Sequence, residues 1–392
     1  MPECNDSLSL PQEICDGIID ELCHDRRSLL RASLTCRALY PRTRVHLFSH
    51  VSLSNESDCI RLRELIAMSP MLALLFKSLS IDITSRQGHD PKVYGALIVV
   101  EYLVNLNQLP LGSGDWSQLP DTVVSSLQSH SYRSLDILSS FTFRAIGEVC
   151  SLVQNSSNLQ WASFRCGNNF TEECHLNHSL HPVPAPISLD IGDGINSVPV
   201  ETFLKLTTSS RLCPFSFRNV HTLSIALSDH TRILPQHLNE YIVFLGTSLK
   251  SLHVNHTMLV FPHTSSETLD VSSVQNLEVR VLKYDPTVFG RGSQMFEWWI
   301  TNLSMVNKRS ALRSILFEIQ PPQPELEHPA LVWEDLWTRL DDYLASYKMD
   351  SLERVAITFR PRPAEWEIYK THMEGKFPLL KKLGREVVLN AT

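Results

Sequence analysis

The sequence lacks any long apolar run: stretches such as Ala96 to Val100 fall far short of the roughly 20 residues a membrane-spanning helix needs. It also lacks a long block of one charge sign. A net charge of −7 and a pI near 6.1 argue against broad electrostatic binding of nucleic acid or anionic membrane, so neither partner is expected. The first residues, Met1 to Leu10, are polar and acidic, unlike a signal or transit peptide. The nine cysteines are odd in number and scattered. They predict reduced thiols serving mostly as small core residues, in a cytoplasmic or nuclear protein.

Motifs of common chemistries are missing too. There is no Gly-x-Ser-x-Gly elbow and no Walker phosphate loop, and Gly192-x-Gly194 and Gly290-x-Gly292 lack the third glycine of a dinucleotide loop. Cys166, Cys174, His175, His178 and His181 are zinc-ligand types, but they lack two closely spaced ligand pairs separated by a spacer. Neither catalysis, nor a cofactor, nor a metal site is expected.

What is present is 392 residues, 43% of them hydrophobic, enough for a sizeable core and more than one domain. The segment Leu10-Pro11-Gln12-Glu13-Ile14 predicts a helix start, with proline at the first helical position and Glu13 at the positive end. Ile14, Ile18 and Leu22 then recur every four residues, with Cys15 and Ile19 widening the stripe. His24-Asp25 ends this helix. A second helix carries Leu29, Leu30 and Leu34, and a third segment, running from Cys36 to Phe48, starts afresh or bends at Pro41. Three short helices bury only a small core of their own, so some of these side chains need a partner surface.

The stretch from Leu10 through Leu53 resembles an F-box, in the form found in fungal families of F-box proteins. The resemblance rests on the leading Leu10-Pro11, the Ile14/Ile18/Leu22 helix, Ser33-Leu34-x-Cys36-Arg37 and the closing Leu47-Phe48. Tyr40 stands where relatives commonly carry tryptophan. The resemblance implies binding to the small adaptor of a Skp–cullin–F-box ubiquitin ligase, with Leu10, Pro11, Ile14, Ile18, Leu22 and Leu30 facing the adaptor. It further implies a role as a substrate receptor in ubiquitin-dependent protein degradation. The alternative is a repeat scaffold for protein interactions, with these helices as a cap and no ubiquitin role.

Beyond Val51 a six-residue pattern, apolar-x-x-apolar-x-apolar, keeps returning. It reads Phe76/Leu79/Ile81, Leu106/Leu109/Leu111, Tyr132/Leu135/Ile137, Leu159/Ala162/Phe164 and, weakly, Pro186/Leu189/Ile191. It continues as Val220/Leu223/Ile225, Leu249/Leu252/Val254, Val274/Leu277/Val279, Leu312/Ile315/Phe317 and Leu352/Val355/Ile357. Starts fall roughly 25–40 residues apart, the range of leucine-rich repeats or slightly above it. Helical periodicity lies between them, as in Leu234/Leu238/Tyr241/Ile242/Leu245 and Leu336/Leu340/Tyr343/Leu344.

The expected fold is therefore α/β. Residues 1–50 form a three-helix F-box-like module, and residues 51–392 an irregular leucine-rich-repeat-like α/β solenoid with a parallel sheet. Irregularity is expected because Ser140, Gly167, Ser228, Thr257 and Gln320 occupy the places where such repeats carry Asn or Cys. Alternate strand residues would face outward. Trp161, Arg165, His253, Asn255, Arg280 and Arg354 are the candidate contacts for a protein substrate, the arginines being suited to a phosphate. The loops from Cys166 to Pro186 and at Pro321-Pro322-Gln323-Pro324 are further candidates for recognition.

Overall fold

The computed structural model describes residues 10–83, 91–165, 185–191, 219–227, 235–256, 269–281, 291–306, 309–319, 334–360, 362–363 and 365–392. The histidine and cysteine cluster from Cys166 to His181, the second proline loop, and four of the five expected Asn/Cys replacements lie outside them. The fifth, Ser140, donates its hydroxyl to the Gly112 carbonyl on the preceding strand at 2.6 Å.

Three helices come first: α1 (Gln12–Glu21), α2 (Arg26–Thr35) and α3 (Tyr40–Leu47). Pro11 is the N-cap of α1 rather than its first helical residue, because its ψ of 143° is extended. Asp25 both ends the first turn-break and starts α2, accepting from the backbone N–H groups of Arg27 and Ser28. Its carboxyl sits below the usual range, chiefly through the Ser28 hydroxyl and backbone N–H. Pro41 sits in the first turn of α3, where a missing N–H costs nothing.

The rest is α/β. Strands β1 (His50–Leu53), β2 (Ser78–Asp82), β3 (Gln108–Asp115), β4 (Ser134–Thr142), β5 (Trp161–Phe164) and β6 (Ser188–Ile191) make one half of a sheet. β7 (Thr222–Leu227), β8 (Ser251–His256), β9 (Asn276–Val281), β10 (Ser314–Ile319), β11 (Arg354–Phe359) and β12 (Glu386–Ala391) make the other. All twelve lie in chain order in one open sheet, and every neighbouring pair is parallel. Parallel neighbours need long crossovers, which explains the interval between the repeated patterns. The order is that of a solenoid-like α/β fold, in which each unit buries its apolar face on the next.

Every one of the ten patterned runs is a strand with its entry residue, and the described crossovers carry helices. These are α4 (Glu56–Met68), α5 (Pro91–Ala96), α6 (Asp121–Ser129), α7 (Ile146–Val153), α8 (Pro235–Leu245), α9 (Arg291–Ser304), α10 (Glu334–Leu344), α11 (Trp366–Glu374) and α12 (Pro378–Lys382). Register aligns Leu135, Ala162, Leu189, Leu223, Leu252 and Leu277 in one buried row, with Ile137, Phe164, Ile191, Ile225, Val254 and Val279 in the next. Both rows belong to one continuous core that starts at Leu53 and includes the buried faces of the crossover helices.

Aromatic residues close the C-terminal half. Phe296 of α9 lies 4.6 Å from Trp337 of α10 and 5.3 Å from Phe317 of β10, centroid to centroid. Phe377 meets Trp337 edge-on at 6.0 Å. The buried Asp341 of α10 then accepts from the backbone N–H groups of Leu379 and Leu380, capping α12. Between β8 and α9, the buried His256 ring accepts from Trp299 Nε1 at 3.0 Å. Burial pushes the His256 pKa down to about 3, so it is neutral in the folded protein at neutral pH.

Gly114 shows where a side chain is forbidden. Its φ is +145°, and an added Cβ would lie 3.1 Å from the Phe141 ring. It stands just beyond the register shift between β3 and β4.

Candidate docking surfaces

Two surfaces follow from this arrangement. The first is the helical module, whose own core consists of Cys15, Ile19 and Leu29 with the buried Thr43. None of these belongs to the core of the sheet. A bidentate ion pair fastens α3 to α1: Arg42 Nε and Nη2 lie 2.6 and 2.7 Å from the Asp20 oxygens, and His46 Nε2 lies 2.7 Å from one of them. The Arg42 and His46 hydrogen bonds hold the Asp20 pKa at about 2. Arg44 of α3 stands 5.4 Å from the centroid of Tyr40, whose ring is itself exposed.

The helices' other face is bare. Ile14 is 51% exposed, Ile18 47%, Leu30 48% and Leu34 87%, with Leu10 and Pro11 also exposed. Ile14 and Ile18 are four residues apart and so share one face of α1. Of the residues expected to face an adaptor, only Leu22 departs: it is half-buried at the C-cap of α1. Leu34, outside that set, is the most exposed large apolar residue of the module. Its place in a leucine-rich second helix was the available signal.

The second surface is the outward face of the sheet. On β8 the side chains alternate half-buried Ser251, His253 and Asn255 with buried Leu252, Val254 and His256. Register places Trp161 between Ser134 and Ser188, His253 between Ser224 and Glu278, and Asn255 between Ala226 and Arg280. Arg354 falls between Ser314 and Glu386.

The arginines are not free anions' receptors. Arg165 pairs with Asp190 at 3.1 Å, Arg280 with Glu278 and, at 3.6 Å, with Glu318, and Arg354 with Glu386 at 3.4 Å. Arg360 adds a second cation to Glu318 at 3.3 Å, and His253 lies 3.5 Å from Glu278. A phosphate here would have to displace a carboxylate from each arginine. Asp190, Glu318 and Arg360 were not foreseen, because partners some 25 to 40 residues apart become visible only once strands are in register. Among the described residues Asp136 Oδ1 and Asn255 Oδ1 are buried without a hydrogen-bond partner.

Among the described residues no cluster of His, Cys, Asp and Glu could hold a metal ion, and no helix is long and apolar enough to cross a membrane. No protein-family model and no curated protein matches the chain.

Proposed function

We propose that this chain is a non-catalytic substrate-receptor subunit of a Skp–cullin–F-box ubiquitin ligase, working in the cytoplasm or nucleus. The observation that carries the reading is the bare apolar face of Leu10, Pro11, Ile14, Ile18, Leu30 and Leu34 on helices whose opposite face is already packed. Burying one such side chain contributes roughly 1.5–3 kcal/mol, so the face as a whole is a sufficient anchor for a stable heterodimer. The likeness to an F-box assigns five of them, Leu10, Pro11, Ile14, Ile18 and Leu30, to the adaptor, together with the half-buried Leu22; Leu34 is an addition from the structure. Behind them, the leucine-rich-repeat-like sheet offers a polar outward face to a target protein. Ubiquitin transfer then follows from proximity: the receptor raises the effective concentration of a substrate lysine near the charged conjugating enzyme.

A second reading is favoured by one contact. Phe48, at the end of α3, meets Phe76 edge-on at 6.3 Å, and β1 begins two residues later. The module thereby caps the sheet, as a scaffold without any ubiquitin role would require.

Co-purification with the adaptor separates the two. Ile14→Asp plus Ile18→Asp alters only half-exposed residues, so the fold is retained. The receptor reading expects adaptor capture by the parent chain and its loss in this double variant. The scaffold reading expects no capture by either.

A further inference from the structure

The residue immediately before each strand forms a row of its own. A continuous chain of backbone hydrogen bonds, each 2.7–3.0 Å, runs from Ser49 through Lys77, Asn107, Arg133, Gln160, Ile187, His221, Lys250, Gln275 and Arg313 to Glu353. These ten links extend the sheet's ladder by one position and hold the side chains in lateral register. Strands are roughly 4.8 Å apart, so Lys77 and Arg133, two strands apart, are separated by roughly 10 Å, as are Lys250 and Arg313.

Lys77, Arg133, Lys250 and Arg313 are all exposed. Among the described residues their side chains make no ion pair. His221 adds a fifth basic side chain to the row.

The flanking rows make this more than a scatter of solvated charges. From β2 to β10 the residues one place earlier are Phe76, Leu106, Tyr132, Leu159, Pro186, Val220, Leu249, Val274 and Leu312, all uncharged. The first strand residues over the same span are Ser78, Gln108, Ser134, Trp161, Ser188, Thr222, Ser251, Asn276 and Ser314, also uncharged. Acids enter only further along the strands, at Asp82, Asp115, Asp136, Asp190, Glu278 and Glu318, and the last two and Asp190 are met by arginines. In a chain of net charge −7, this rim of the sheet carries four cations, a histidine and no acid over nine strands.

We propose that this rim docks an extended acidic polypeptide segment of a partner, running across the strands. A segment extended as polyproline II advances roughly 3.1 Å per residue with three residues per turn, so a carboxylate at every third residue recurs on one face at roughly 9–10 Å, matching the Lys77–Arg133 and Lys250–Arg313 intervals. Nucleic acid carries a phosphate charge far more densely than these cations are placed. A single phosphoryl group is best held by converging arginines, and here the cations stand apart. The proposal deepens the receptor reading by giving its target a chemical class. It stands on the sheet alone, so it survives or fails independently of adaptor binding.

The test is fluorescence anisotropy with the full chain and a labelled peptide bearing glutamate at every third position among serines and glycines. Binding is expected at low salt, weakening at least tenfold as salt rises past the range where the Debye length falls below roughly 8 Å. Exposed pairs are weak singly, so Lys250→Glu plus Arg313→Glu is expected to weaken binding roughly tenfold. Lys382→Glu, an equal kind of charge change on α12, is expected to leave it within twofold. A thermal melt checks that each variant is folded. The proposal is overturned by absence of binding at low salt, or by equal binding to the double variant. Tighter binding of single-stranded oligonucleotide, or of a peptide with one phosphoserine and no glutamate, overturns it as well.

Discussion

Ile14 and Ile19 lie on the same ten-residue helix, yet Ile19 is fully buried and Ile14 half exposed. Leu223 and Ile225 on β7 are both sealed, as are their register neighbours on β6 and β8. The helical module therefore spends part of its apolar surface on itself and leaves the rest open, whereas the described inward rows of the sheet are closed within the chain. In a solenoid-like fold each unit buries its inward residues against the next, so sequential stacking covers those rows. Three short helices have no next unit. Their uncovered side is where an outside partner gains most, and the difference between the regions predicts how each responds to substitution.

The largest effect is expected in the sheet. Leu252→Ala removes a fully buried side chain and should cost about 2–5 kcal/mol in urea unfolding. Ile14→Ala and Ile18→Ala should stay within about 0.5 kcal/mol. A cost for Ile14→Ala equal to that for Leu252→Ala would erase the distinction.

Next comes pH. His256 is held neutral well below its unfolded pKa of about 6.5, so its contribution is complete above that value. It is lost as pH falls from about 6.5 toward 3, because the unfolded chain then binds a proton that the folded one refuses. The slope is about 1.4 kcal/mol per pH unit. Thermal melts of the parent and of His256→Gln between pH 7 and 5 should show that slope in the difference. A difference independent of pH would contradict it.

Asp341→Ala leaves the backbone N–H groups of Leu379 and Leu380 without their acceptor and should cost about 1–2 kcal/mol. The smallest effect sharpens the comparison from the module's side. Asp20→Asn removes the carboxylate shared by Arg42 and His46, and amide exchange should quicken in α1 and α3 while the strands keep their protection.

Most of the sheet was legible because one chemical demand, two inward residues behind a buried entry residue, recurs in each unit. The two strands not foreseen show where that reading fails. Phe48-x-x-Val51-x-Leu53 fits the pattern and forms β1, but Leu47-Phe48 also suited the end of the helical module, so one residue served two readings. At β12 the entry position is Gly384, in the left-handed region at φ +72°, and offers no apolar signal ahead of Val387 and Leu389. The bare face of α1 was legible from four-residue spacing, although Leu22 turned out half-buried where α1 ends. Ion pairs such as Arg165–Asp190 and Arg280–Glu318 were not, since they depend on which strands adjoin.

Amide hydrogen exchange of the full chain, with and without the ligase adaptor, tests the central claim most directly. Slowed exchange confined to the segment from Leu10 to Phe48, with strands β2 to β11 unchanged, is the predicted result. Adaptor added in excess with no protection in that segment, or with protection only in the strands, would contradict it.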